Sequence, residues 1–178
     1  MKKQEINAQI EKALVYYKNA GIALTEVECT NVEVADFGLG KVNAVGLQLI
    51  TYINTDRVCA KEMVLLPGQT CPEHIHVPTN GMEGKEETFR CRYGEVYLYV
   101  EGEGDQTSIR ATVPESDVTV FHEVILKPGE QHTIYPGTKH WFQGGPDGAV
   151  ISEFSTHSTD ETDFFTDRRI VRETKIEA

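Results

Sequence analysis

GQTCPEHIHVPTNGMEGKEETFRCRYG, residues 68–94, decides how the chain is read. Residues i and i+2 of a strand share a face, so His74 and His76 project into one space. Glu87 lies past a loop rich in Gly and Glu and can return on a neighbouring strand beside them. Two imidazoles and a carboxylate converging in a pocket are ligands for a divalent metal. A fourth ligand is expected from KPGEQHTIYPGTKHWFQ, residues 127–143, where His140 follows a Pro-Gly turn and opens a short aromatic strand. Cys71, just before the histidine pair, is a competing ligand; its other reading is a small buried residue.

The chain has 178 residues, the size of one domain with a full hydrophobic core. Its formal net charge of -11 argues against nucleic acid and anionic membranes as partners, since both need a basic surface. A small neutral substrate suits that field better than a polyanion. No apolar run reaches the length of a membrane span, and MKKQEINAQIEKAL lacks the apolar core of a signal peptide. The expected location is the cytoplasm. Cys29, Cys59, Cys71 and Cys91 have no C-x-x-C spacing and are expected as free thiols.

Ile6, Ile10, Ala13, Leu14 and Tyr17 recur at helical spacing, and Gly21 is placed to end the run, which predicts a helix over 4–20 within an N-terminal segment 1–22. From residue 30 onward the pattern changes to short strands rich in Val, Ile, Tyr and Phe, bounded by turn residues. The segments are 45–53, 60–66, 87–92, 95–101, 118–126, 131–135, 139–143 and 149–154. Such spacing predicts an all-β sandwich or barrel over 30–155. Residues 101–117 read as an exposed loop. A polar tail, 156–178, carries Phe164 and Phe165 as anchors and ends in a VRETKIEA expected to fray or face solvent.

Gly68, His74, His76, Glu87 and Gly94 resemble the first cupin motif, and Gly129 with His140 the second. The gap from His76 to Glu87 is longer than in that pattern. Phe142, Gln143 and Gly144 stand where an asparagine is often found. VGLQLITYINTDRVCAKEMVLLPGQTCPEH, GKEETFRCRYGEVYLYVEGE, PGTKHWFQ and STDETDFFTD are similar to the short, single-cupin D-lyxose isomerases. The resemblance implies a single jelly-roll domain with an N-terminal helix and a tail folded over the barrel mouth. It also implies a homodimer, a manganese cofactor, and conversion of D-lyxose to D-xylulose, with D-mannose and D-fructose as a second pair.

Three imidazoles and a carboxylate suit Mn, Fe, Co, Ni or Zn. A six-coordinate ion held by four ligands keeps two positions, enough to chelate vicinal sugar oxygens. A base must then move a proton between C1 and C2. Glu153, a carboxylate on the apolar AVISEFST strand, is the first candidate; a surface-facing Glu is the alternative. Lys61, before the first motif, is either an edge residue reaching solvent or a polar group of the pocket. The resemblance favours contact with a substrate hydroxyl or oxyanion. It also brings Asp163, Asp167 and Arg168 forward as sugar-binding residues, against a solvated charge run. Glu62 and Glu86 are out of phase with Lys61 and Glu87 and should point away. Trp141 or Phe142 could floor a sugar pocket. Three other readings stand: a cupin phosphosugar isomerase using Arg57, Arg90, Arg92 or Lys139; a thiol dioxygenase, disfavoured by Glu87; and a sugar-binding cupin without catalysis.

Overall fold

The computed structural model describes residues 1–79 and 81–177. Helix α1, Lys3–Asn19, buries Gln9, Ala13 and Tyr17, a stripe at helical spacing. The stripe lies on Ile50, Val64 and Val150 of a sheet's outer face, and the Tyr17 hydroxyl donates to the Glu62 carbonyl at 2.8 Å. Gly21 follows with φ 69°, a left-handed conformation that glycine takes at little cost. Helix α2, Glu26–Thr30, is a single turn closed by a Thr25–Glu28 capping box. Its T-x-x-E signal was legible, but the run was too short for periodicity to reveal.

Among the described residues nine strands follow: β1 Glu33–Ala35, β2 Leu47–Asn54, β3 Cys59–Leu65, β4 Thr70–Ile75, β5 Glu87–Val100, β6 His122–Leu126, β7 Gln131–Ile134, β8 His140–Ser155 and β9 Phe164–Phe165. They form one curled sheet in the order β1-β2-β3-β8-β4-β9, with β5 pairing β6, β7 and β8. β8 holds the curl together. Its first end pairs β4, its second pairs β3, and β5 runs along both. The segments read as 87–92 and 95–101 are one strand, and so are 139–143 and 149–154. In β8, residues 145–148 bulge out between its two paired stretches, and β5 shifts register opposite them. Of 118–126 only the second half pairs. Thr119 and Val120 turn their amides to the buried Glu73 carboxylate instead, at 2.6 and 2.9 Å.

Irregularities set which residues face inward. Phe89 and Cys91 of β5 are in the interior cluster, as are Val96, Leu98 and Val100, so odd positions give way to even ones. Register shifts on either side of Tyr93 and Gly94 make that switch. The interior packs Leu47, Leu49, Met63, Leu65, Phe142 and Ile151 around them. The C-terminal tail is not frayed over its described length. Thr174 Oγ1 donates to the Val34 carbonyl, and the Glu177 amide donates to Met1.

Gly94 has φ 69°, and a Cβ there would lie 1.9 Å from the Gly148 carbonyl oxygen. Gly94→Ala should therefore cost at least ~2 kcal/mol of stability, from left-handed strain plus the clash. A urea midpoint unchanged from wild type would contradict this account of the β5 kink.

Candidate metal centre

Three strands deliver the cluster. A register shift in β4 between Cys71 and His74 lets both face the interior although they are three positions apart. His76 follows one residue beyond the end of β4. Glu87 opens β5 and His140 opens β8. The possible ligand atoms of His74, His76, Glu87 and His140 lie within 4.8 Å of one another, and all four side chains are buried. Gly84 lets the intervening loop return closely, since a Cβ there would sit 2.0 Å from the His76 carbonyl oxygen.

The hydrogen bonds around the rings fix their protons. His74 Nδ1 lies 2.8 Å from the Pro72 carbonyl, and His140 Nδ1 lies 2.9 Å from that of Thr138. A carbonyl only accepts, so these nitrogens donate, and the neutral rings carry their lone pairs on Nε2. His76 Nδ1 is 2.6 Å from the Asp163 carboxylate. The Nε2 atoms of His76 and His140 stand 3.2 and 3.0 Å from Glu87 Oε1. Both nitrogens and that oxygen are buried without a hydrogen-bond partner. Facing acceptors at such distances repel unless a cation or proton lies between them. The cluster therefore fits a divalent metal, with each histidine oriented from its far side. Burial works against charge on His76, but the Glu87 and Asp163 carboxylates together outweigh it and push the pKa up to about 9 when only a proton is available. Burial, together with the neighbouring His140 and His76, holds His74 well below its ordinary value. Cys71 lines the same cavity, but burial pushes its thiol well up, and it stands outside the cluster.

Beside the cluster runs a buried charge network. Lys85 Nζ lies 2.8 Å from Glu87 Oε2 and 3.1 Å from both Glu153 Oε1 and Asp160 Oδ1. Lys61 Nζ is 2.6 Å from Asp160 Oδ2, 2.8 Å from Ser158 Oγ and 3.6 Å from Glu153 Oε1. Ser155 Oγ also donates to Glu153 Oε1. Burial opposes charge on both lysines, but Glu153 and the other carboxylates outweigh it and raise their pKa values. For Asp160 burial opposes ionisation as well, yet Lys85, Lys61 and Arg172 hold it well below the carboxylate range.

Lys61, Glu153 and Asp163 thus line the cavity with His74, His76 and Glu87, and Phe142 forms part of its wall. Trp141 instead stacks on Tyr99 in a separate cluster. Asp167 and Arg168 do not reach the cavity, contrary to the sequence expectation. Asp167 is tied to Arg169 at 2.6 Å and to the Asp117 amide, while Arg168 lies over the Phe164 ring at 3.9 Å. Glu62 and Glu86 point away as their phase requires; Glu62 accepts from Ser152 on the outer face. Lys85, Asp160 and Arg172 line the cavity but were not anticipated. Lys85 shares the phase of Glu87, two positions on, which was a usable signal inside a run that otherwise reads as solvated charge. Asp160, on a single 3-10 turn, and Arg172, in the tail, carried none.

A jelly-roll-like curled sheet with a three-histidine, one-glutamate cluster in its interior defines a cupin. The described chain superposes on the L-ribose isomerase of Cellulomonas parahominis with a TM-score of 0.73 at 16% identity, covering 99% of this chain and 98% of that one. The profile of the D-lyxose isomerase family matches residues 26–178, and the chain belongs to that family. It is 62% identical over 164 residues to the D-lyxose ketol-isomerase of Cohnella laeviribosi, covering 90% of each chain. It is 57% identical over 179 residues to the D-lyxose/D-mannose isomerase of Thermosediminibacter oceani, covering 99% of each.

The network sets a pH dependence. The folded pKa of Asp160 lies below its unfolded value, so the unfolded chain takes up the proton first as pH falls. The stabilisation is complete above the ordinary Asp range near ~4 and is lost as pH drops toward the depressed value. In urea titrations of metal-free protein between neutral and acid pH, Asp160→Asn should lower the midpoint at neutral pH and flatten its fall below about pH 4. A variant with the wild-type slope would contradict the assignment.

Proposed function

We propose that this protein is a metal-dependent aldose–ketose isomerase that interconverts D-lyxose and D-xylulose, with D-mannose and D-fructose as a second pair. Family membership and the names of its relatives support the substrate. The observation that carries the chemistry is the set of unpartnered acceptor atoms, His76 Nε2, His140 Nε2 and Glu87 Oε1, converging beside Glu153. His74, His76, Glu87 and His140 would hold the ion; manganese is our choice among the ions that suit this donor set. When bound, the ion polarises the sugar carbonyl and makes the adjacent C–H more acidic.

Glu153 is the proposed base. Lys85 and Ser155 donate to its Oε1, and Lys61 lies 3.6 Å from the same atom, so that oxygen is held in place while Oε2 faces no such donor and serves as the base. It removes the proton from C2 of the aldose; that electron pair forms the C1–C2 double bond as the C1–O1 double bond opens and its pair moves to O1, giving an enediolate. Return of the proton to C1, with transfer of a proton from O2 to O1, gives the ketose. Lys61 would bind a sugar hydroxyl or the developing oxyanion, and Asp163, 2.6 Å from His76 Nδ1, would orient that ring.

A phosphosugar is the poorer reading. The basic groups of the cavity are Lys61, Lys85 and Arg172, and each is already paired with a carboxylate. Arg90 and Arg92 lie outside, bonded to Gln131 and Ser152. The four free cysteines accord with a reducing cytoplasm. Exposed Tyr52, Val58 and Phe154 would suit the homodimer we also propose.

Manganese-reconstituted protein should form ketose from free D-lyxose, and His140→Ala or removal of the metal should abolish it. Glu153→Gln should lower kcat by about 100- to 10,000-fold with metal content unchanged. In deuterated water the wild-type product should carry solvent deuterium at C1. Ketose formed by stripped protein, or at an undiminished rate by Glu153→Gln, would overturn the reading.

A further inference from the structure

The chamber against the cluster is too small for its substrate. Its volume is about 30 Å³, room for one water, whereas a pentose has about ten non-hydrogen atoms. The chamber must open. Two solvent-facing hollows lie near it. One, of about 220 Å³, is lined in part by Thr51, Lys61, Asp160, Arg172 and Glu173. The other is larger, about 350 Å³, and its lining includes Asp56, Thr79, Met82 and Thr156. Size would favour the second, but it shares no lining residue with the chamber. Lys61, Asp160 and Arg172 line both the chamber and the first hollow, so they form the wall between them.

Asp160 is the movable part of that wall. Lys61 sits within β3, bridged on both sides by its neighbours β2 and β8. Asp160 sits on the single 3-10 turn Asp160–Thr162. The turn is pinned at both ends. Ser158 exchanges two hydrogen bonds of 3.0 Å with the Asn54 side chain, and Asp163 holds His76. Between the pins, the Asp160 carboxylate grips Lys61, Lys85 and Ser158 Oγ, with Arg172 at 3.6 Å. Those donors are what sugar hydroxyls would need. A hydroxyl can accept from an ammonium group in place of a carboxylate, though less strongly. The latch would therefore reclose once the product left.

We propose that the sugar enters from the smaller hollow by displacing the Asp160 carboxylate from Lys61 and Lys85, whose ammonium groups then bind its hydroxyls. Residues 159–162 move while Ser158 and Asp163 stay fixed. This inference rests on the isomerase reading above. The approach also selects against phosphorylated sugars, because Glu33, Glu161 and Glu173 line the hollow.

Exposed residues allow the route to be blocked without disturbing the core. With wild-type activity on D-lyxose established first, Thr51→Trp and Glu173→Trp should each lower kcat/KM by about tenfold or more. Both should retain the wild-type Tm and manganese content and should lose manganese to dipicolinate more slowly. Asp56→Trp, in the larger hollow, should match wild type in every respect. Asp160→Asn should speed hydrogen exchange at the amides of residues 159–163 and leave exchange in β3 unchanged. Full activity of both blocking variants, equal loss in Asp56→Trp, or wild-type exchange in Asp160→Asn would each overturn the proposal. An inactive wild-type protein would instead refute the isomerase reading itself.

Discussion

Three imidazole rings are held from behind, and the chemistry of the site depends on that constraint. Pro72 and Thr138 carbonyls accept from Nδ1 of His74 and His140, and the Asp163 carboxylate partners Nδ1 of His76. Each bond leaves Nε2 as the atom facing inward. With Glu87 Oε1 among them, the interior contains acceptors with nothing to accept from. A buried arrangement of this kind is unfavourable by itself and becomes favourable around a cation. The fold supplies the rigidity. Two of the holding carbonyls lie on or beside the strands that carry their own histidines, so ring and partner move together.

The charge network extends the same logic. Lys85 joins the cluster to the proposed base, because it contacts Glu87 and Glu153 at once. Two lysines and Arg172 face the carboxylates of Glu87, Glu153 and Asp160. Removing any one member would leave a buried charge without its partner, which costs more than the pair contributes. Its inner part, Lys85 between Glu87 and Glu153, resists gradual distortion, which suits a site that must keep a base and an ion in fixed relation.

Much of this was legible in the sequence because strands have a period of two. His74 and His76 share a face by spacing alone, and Glu62 and Glu86 were assigned outward by the same rule. What periodicity missed lies where the chain is irregular. The β4 register shift that puts Cys71 and His74 on one side depends on three-dimensional pairing. Asp160 and Arg172 come from segments with no repeat, and their polar surroundings resemble solvated surface. Asp167 and Arg168 show the opposite error. They stand in the same polar run as Asp163, yet one forms an ion pair with Arg169 and the other lies over Phe164, because a short turn sends successive side chains in unrelated directions.

Three imidazole nitrogens and one carboxylate oxygen are expected to converge on a single cation. Pulsed electron paramagnetic resonance of the manganese-titrated protein tests this most directly. One ion per chain, with nitrogen couplings from three histidines that fall to two in His140→Ala, is the result predicted. Sub-stoichiometric binding, or an ion coupled to fewer than three imidazoles in the wild-type protein, would contradict the account.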